Sequence, residues 1–143
     1  MHATMPITDT PELYEGVPTK RAIAWCVDVV IITIATLLSL PFTLFAGLFV
    51  LPVLYLIVGF LYRWATVAGG SATWGMRLAG IELRRLDGER LDPATAFFHV
   101  SGHTFAICTF PLALISAAVM YMTEKGQGLT DLVLGTVALR RAD

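Results

Sequence analysis

Charged residues are scarce in this sequence, and two long stretches have none. Of the 143 residues, 15% are charged and 56% are hydrophobic. No charged residue occurs between Asp28 and Arg63, or between Asp92 and Glu124. A water-soluble protein of this size needs more polar side chains to cover its surface. Each uncharged stretch is also longer than the ~20 residues that span a bilayer. The sequence therefore predicts an integral membrane protein.

Cysteines and clusters of basic residues are scarce as well. The two cysteines, Cys26 and Cys108, both lie in apolar segments. There they behave as small hydrophobic side chains, and a disulfide framework is not expected. The net charge is −1 and the basic residues are not gathered on one helix. Nucleic acid is therefore not an expected partner.

Two apolar segments in the first half have the length of membrane-spanning helices. Residues 1–18 form a polar arm with four prolines or glycines, which predicts an irregular segment on the membrane surface. Helices are expected over residues 21–40 and 44–62, the second kinked at Pro52. A polar arm before the first segment and Asp28 within it are not typical of a cleaved leader. We expect the first helix to remain in the mature protein.

The distribution of basic residues predicts the orientation. The turn between the two helices carries no charge, whereas Lys20, Arg21 and Arg63 flank their other ends. By the positive-inside rule, the N-terminus lies in the cytoplasm. Trp25 and Trp64 lie near the same ends, where indole rings favour the headgroup layer.

The polar segment after the second helix has a different periodicity. Residues 72–78 resemble a short interfacial element. Polar and apolar residues then alternate over residues 81–86 and 89–91, on either side of an Asp-Gly dipeptide. This dipeptide between alternating residues is a strong hairpin signal. A small cytoplasmic β-ribbon over residues 81–91 is predicted.

The third apolar stretch, residues 97–122, leaves the topology open. It is either one tilted crossing or two shorter helical legs broken at Pro111. Residues 135–141 are typical of a further strand that would return to the hairpin, and the basic residues at this end favour an intracellular C-terminus. The predicted fold class is a mainly α membrane domain over residues 19–141. It has two to four transmembrane or re-entrant helices and the small β-ribbon.

Three charged residues connect the chain to a known family. Arg21 opens the first helix, Asp28 lies inside it, and Asp131 follows Gly-Leu-Thr near the C-terminus. With the loop at residues 70–83, their order resembles the RDD family of small bacterial membrane proteins, named after this arginine and two aspartates. The resemblance covers residues 18–141. It implies a membrane protein of the kind commonly proposed to transport unidentified ligands.

The spacing of Arg21 and Asp28 suggests two roles for the three charges. The two residues are seven apart, so they share a helix face and differ in depth by about 10 Å. An aspartate in hydrocarbon costs ~2.5–3.5 kcal/mol and needs a partner, a wet cavity or a proton. One hypothesis is an ion or proton relay at Asp28, balanced by Arg21 and Asp131. The other is a structural polar clasp between the first helix and the C-terminal segment. The absence of further intramembrane charges favours the clasp.

Other polar residues are weaker candidates. Arg77 on the interfacial element is expected to contact lipid phosphate or one of the aspartates. His99 and His103 are four apart on a predicted helix, which is correct spacing for a metal pair. Two ligands do not make a site, so we expect packed or interfacial histidines, no metal and no cofactor. No nucleophilic triad is visible, and an enzyme is not expected.

Two functions are consistent with this sequence. The first is an accessory or assembly partner within a larger membrane complex, or a homo-oligomer, surrounded by lipid. This follows because two or three helices bury few side chains alone. The alternative is a transporter or ion/proton exchanger that uses Asp28.

Overall fold

The computed structural model describes residues 11–141, which are mainly helical. The elements, in chain order, are α1 (Val17–Ser39), α2 (Leu51–Gly70), α3 (Trp74–Ala79), β1 (Ile81–Arg85), α4 (Pro93–Cys108), α5 (Phe110–Met122), α6 (Leu129–Leu134) and β2 (Thr136–Arg140). The predicted fold class is confirmed: the structure has two or three candidate membrane helices and one small antiparallel sheet.

Helix α1 begins four residues earlier than predicted and ends near the expected position. Gly16 lies before it with φ 68°, and Pro18 occupies its first turn, where a missing N–H removes no helical hydrogen bond. The helix ends at Ser39, before Pro41. Its 23 residues extend about 35 Å at ~1.5 Å per residue. That length is sufficient to cross a bilayer.

Helix α2 lies further along the chain than the predicted range 44–62. The residues before it form two short 3-10 turns, with Leu44 and Phe45 in the left-handed region at φ 54° and 62°. The predicted kink at Pro52 is wrong, because this proline lies in the first turn of α2, where it fits without distortion. The helix then continues to Gly70, past the basic and aromatic residues that were expected to end it.

The third apolar stretch forms two legs. Helices α4 and α5 meet at Thr109 and are bent by 118°. Pro111 lies in the first turn of α5, so the break falls just before it. The structure therefore has the second of the two predicted arrangements.

The β-ribbon pairs differently from the predicted hairpin 81–91. Strand β1 pairs with β2 in antiparallel register, Leu83 opposite Ala138, and residues 89–91 are not a strand. The turn does form, with Arg85 N donating to Glu89 O at 2.9 Å, but Leu91 N donates to Ser71 Oγ. Residues 89–91 are mostly polar and would bury little apolar surface as a strand. Strand β2 instead contributes a run of fully buried residues, namely Thr136, Val137, Ala138 and Leu139.

This sheet places both ends of the described chain together. Strand β1 precedes the α4–α5 pair and β2 follows it, yet the two strands are hydrogen-bonded. The α4–α5 pair therefore leaves and returns at the same end of the molecule, as a bent helical hairpin. Val17 at the start of α1 and Val67 near the end of α2 share a buried cluster with the sheet. Helix α1 therefore begins at this end of the molecule, and helix α2 ends there.

The predicted polar arm lies at this end too. Residues 1–10 are outside the described residues. Pro11–Tyr14 is a 3-10 helix rather than an irregular segment, and the Tyr14 side chain is buried against Val137 and Leu139. The buried core is thus concentrated beside the sheet. Along the membrane helices the outer side chains are apolar and exposed, such as Ile34, Leu61 and Leu114, as expected for contact with lipid.

Candidate functional site

Asp131 is the centre of one buried polar cluster. Its Oδ2 atom accepts from Arg21 Nη1 at 2.5 Å and from Gly128 N at 3.0 Å. Its Oδ1 atom accepts from Thr136 Oγ1 at 2.7 Å and lies 2.9 Å from His99 Nε2. We call these residues the Asp131 cluster. It joins α1, α4, α6 and β2 through one carboxylate that is 1% exposed.

Local sequence explains the position of Asp131. Gly128 precedes α6, and Asp131 is the third residue of that helix. A carboxylate at this position can accept from the free N–H at the helix start. Gly135 then ends α6 with φ 69°, a conformation that favours glycine, and β2 begins at once. This short helix turns the chain from the hairpin into the sheet.

The surroundings of Asp131 keep it ionised. Burial raises the pKa of the Asp131 carboxyl, but the Arg21 guanidinium and the hydrogen bonds from His99 and Thr136 lower it by more. Its pKa therefore lies below the usual range. A depressed pKa stabilises the fold at neutral pH, and that contribution is lost as the pH falls below about 4.

Asp28 is the centre of a second cluster, with no arginine bound to it. Its Oδ1 atom accepts from Tyr62 Oη at 2.7 Å and from Gly75 N at 3.0 Å. Its Oδ2 atom accepts from Thr73 Oγ1 at 2.6 Å. The Thr73 hydroxyl also accepts from Met76 N and caps α3. This Asp28 cluster joins α1, α2 and α3, and its carboxylate is 3% exposed.

Arg21 and Asp28, which the sequence placed on one face of the first helix, have different partners in the structure. Arg21 binds Asp131, and no ion pair within 4 Å joins it to Asp28 in residues 11–141. A depth difference of about 10 Å exceeds the reach of an arginine side chain along its own helix. Sequence reasoning missed the donors from Tyr62, Thr73 and Thr136, since helix and loop hydroxyls carry no distinctive signal.

The weaker candidates have separate positions. His99 belongs to the Asp131 cluster, whereas His103 Nε2 is buried without a hydrogen-bond partner in the described chain. No group of three or more potential metal ligands occurs between residues 11 and 141. Arg77 is exposed on α3 and passes over Gly70. Of its two predicted contacts, neither aspartate is the partner, and the side chain is available to lipid.

A cavity lies between the two clusters. Its volume is about 370 Å³, and α1, α2, α4, α5 and α6 contribute to its walls. Its polar border includes Arg21, Asp28, Arg63, His99, His103 and Asp131, and most of the remaining wall is apolar. The three charges of the predicted clasp thus border one space from two sides.

Comparisons with known proteins gave one match. The profile described as RDD family matches residues 16–135, more than four fifths of the chain. No curated protein and no solved structure matched. The matched range includes α1, both aspartates and the whole bent helical hairpin.

The partner of Arg21 can be tested with two matched double-mutant cycles. Removing one member of a buried ion pair leaves an uncompensated charge, so Arg21→Met or Asp131→Leu should each cost ~3–5 kcal/mol, and the pair should cost less than the sum. The cycle of Arg21→Met with Asp28→Leu should be additive. Both are measured as free energies of unfolding in detergent. Equal coupling in the two cycles would contradict the separation of the clusters.

The close contact between α1 and α3 predicts that only glycine fits at position 75. A Cβ there would meet the Ala24 carbonyl oxygen and would lie 2.6 Å from Asp28 Oδ1. Gly75→Ala should therefore displace α3 and destabilise the protein by ~1–3 kcal/mol. Gly69→Ala is the control, because a Cβ at Gly69 meets nothing within 4 Å and alanine favours helix. Similar unfolding midpoints for the two variants would refute this contact.

Proposed function

The chain belongs to the RDD family, and from this premise and the geometry of its bent helical hairpin we propose a non-enzymatic assembly protein of the bacterial inner membrane. It functions as a homo-oligomer or as an accessory subunit of a larger membrane complex. The arginine and two aspartates that name the family hold its helices together. Membrane lipid surrounds the remaining helix surface.

The hydrogen bonds that hold all four carboxylate oxygens support the clasp role. Asp28 has three hydrogen-bond donors, and Asp131 has Arg21, His99, Thr136 and Gly128 N. A carboxylate that exchanges ions must release its ligands in each cycle. Here the donors come from α2 and the start of α3 for Asp28 and from α1, α4, β2 and the start of α6 for Asp131, so releasing them would loosen the fold. The ion/proton exchanger is therefore the less favoured alternative.

The observation that carries the assembly role is the exposed break between α4 and α5. Cys108, Thr109 and Phe110 are all exposed in the isolated chain, and Thr109 has non-helical dihedrals. Thr109 N donates to Phe105 O and Thr109 O accepts from Leu112 N, so this residue is satisfied within the chain. Irregular backbone inside a membrane nevertheless occurs where protein covers it or where it lines a wet cavity. A second membrane chain over this break would provide that cover.

Helix α5 adds to this argument. It has 13 residues and none of them is buried, and at ~1.5 Å per residue it extends only about 20 Å. A helix this short does not cross a ~30 Å hydrocarbon layer. It is held in place chiefly by α4 and α6, and its outer face is free to pack against another chain.

The distribution of charge supports a cytoplasmic location for the sheet. All ten lysines and arginines lie outside the 40–50 turn, which joins the far ends of α1 and α2. The basic residues of β1, β2 and the loop between them lie at the sheet end. The positive-inside rule then assigns that end, and with it the N-terminus, to the cytoplasm.

Photo-crosslinking at the break tests the assembly role. Phe110 at the start of α5 and Phe98 on α4 are 65% and 58% exposed, and each can be replaced by photoreactive benzoylphenylalanine. In native membranes we expect a protein adduct from position 110 and lipid adducts alone from position 98. An adduct of twice 15.6 kDa identifies a second copy, and another mass identifies a larger complex. Lipid adducts alone at both positions would exclude assembly through the break.

Reporter fusions test the orientation. Alkaline phosphatase is active only outside the cytoplasm, so a fusion after residue 88 should be inactive. A fusion after residue 45, in the uncharged turn, should be active. The reverse pattern, at similar expression levels, would invert the proposed topology.

A further inference from the structure

Two basic side chains at the cavity belong to neither cluster. They are the Arg63 guanidinium on α2 and the His103 Nε2 atom on α4, and both residues border the cavity. No side-chain hydrogen bond and no ion pair within 4 Å joins the Arg63 guanidinium to another residue in the part of the chain that the structure describes. His103 Nε2 is fully buried and has no partner in residues 11–141. We call these two residues the Arg63–His103 pair.

The neighbouring charged groups have other hydrogen-bond partners. The Arg21 guanidinium is bound to Asp131 and to the Gly126 carbonyl oxygen. Both Asp28 oxygens accept hydrogen bonds from Tyr62, Thr73 and Gly75. The Asp28 carboxylate attracts Arg63 through space without an ion pair, so the guanidinium keeps a fork of donors without an acceptor. Such a fork matches the geometry of a carboxylate or phosphate group. A histidine nitrogen that carries its proton would donate to the same group.

The rest of the cavity suits an apolar chain. A volume of about 370 Å³ is that of about twelve waters at ~30 Å³ each, far more than one small ion requires. Trp25 and Leu114 form part of the wall, and both are exposed on the outer surface of the helices. The cavity thus opens between α1 and α5 toward the hydrocarbon region. Its occupant can enter from the membrane.

We propose that this cavity binds an anionic amphiphile, whose phosphate or carboxylate contacts the Arg63–His103 pair and whose acyl chain lies along α1 and α5. This inference goes beyond the assembly role and does not depend on it. An acidic phospholipid and a free fatty acid both have this chemistry. A zwitterionic lipid does not, because its cationic group would enter the space next to Arg63.

Trp25 provides a reporter in the cavity wall. In a Trp64→Phe/Trp74→Phe background it is the remaining indole, and bromine on an acyl chain quenches its fluorescence on contact. The protein is reconstituted in phosphatidylcholine vesicles that contain an equal small fraction of dibrominated phosphatidylglycerol, phosphatidylcholine or stearate. Brominated phosphatidylcholine measures quenching by the surrounding lipid alone. Preferential quenching by the phosphatidylglycerol or by stearate identifies the source of the anion.

We expect an anionic probe to bind about tenfold more tightly than the zwitterionic one, as a charged hydrogen bond implies. Arg63→Gln should abolish the preference, and His103→Ala should reduce it. Arg77→Gln removes an exposed arginine at the same membrane face and should leave the preference unchanged.

Two outcomes would overturn the proposal. Equal quenching by all three probes in the otherwise unchanged protein excludes a selective site, whether or not any variant folds. Equal loss of preference in Arg77→Gln and Arg63→Gln assigns the effect to the membrane surface. If Arg63→Gln does not insert, Arg63→Lys replaces it, and this variant should weaken the preference because it keeps the charge but loses the fork.

Discussion

The burial of two carboxylates in an apolar domain is the constraint on which the rest of the fold depends. An ionised aspartate removed from water needs charge or hydrogen-bond donors at both oxygens. Asp131 obtains them from a guanidinium, a histidine, a hydroxyl and an amide, and Asp28 obtains them from two hydroxyls and an amide. The donors come from several parts of the chain, and Thr73 and Gly75 both lie at the start of α3. Satisfying these two groups therefore brings α1 together with nearly every other element.

The small sheet imposes a second constraint. Strands β1 and β2 are separated by the whole α4–α5 hairpin, and their pairing closes the described chain on itself. This closure requires the hairpin to return to its starting side. It also leaves the Thr109 break exposed, so the same pairing that completes the core places irregular backbone where we propose that a second chain covers it. A stable sheet end and an incomplete membrane end are thus two results of one topology.

The charged groups that hold the fold together therefore differ from the groups that are available to bind a ligand. The charges that name the family are bound within the clasp, whereas among the described residues the Arg63 guanidinium and His103 Nε2 border the cavity without a hydrogen-bond partner. A rigid clasp beside an open apolar cavity is a suitable arrangement for holding a lipid, because the cavity walls are already positioned before the ligand arrives. Assembly at the break and occupancy of the cavity involve adjoining surfaces of α5.

The sequence by itself determined the class of the protein. Charge-free stretches predict membrane helices, because burying a charged side chain in lipid is costly. The basic residues beside these stretches predict that the flanked helix ends lie on the same side of the membrane. The short spacing of Arg21 and Asp28 also placed them correctly on one helix. The sequence alone could not show that Arg21 binds Asp131. It also could not show that β1 pairs with β2 in place of residues 89–91, or that α4 and α5 are bent by 118°. Those contacts join residues far apart in the chain. Only the tertiary structure decided them, because the partner of a buried charge or a strand edge is the group that packing brings nearest.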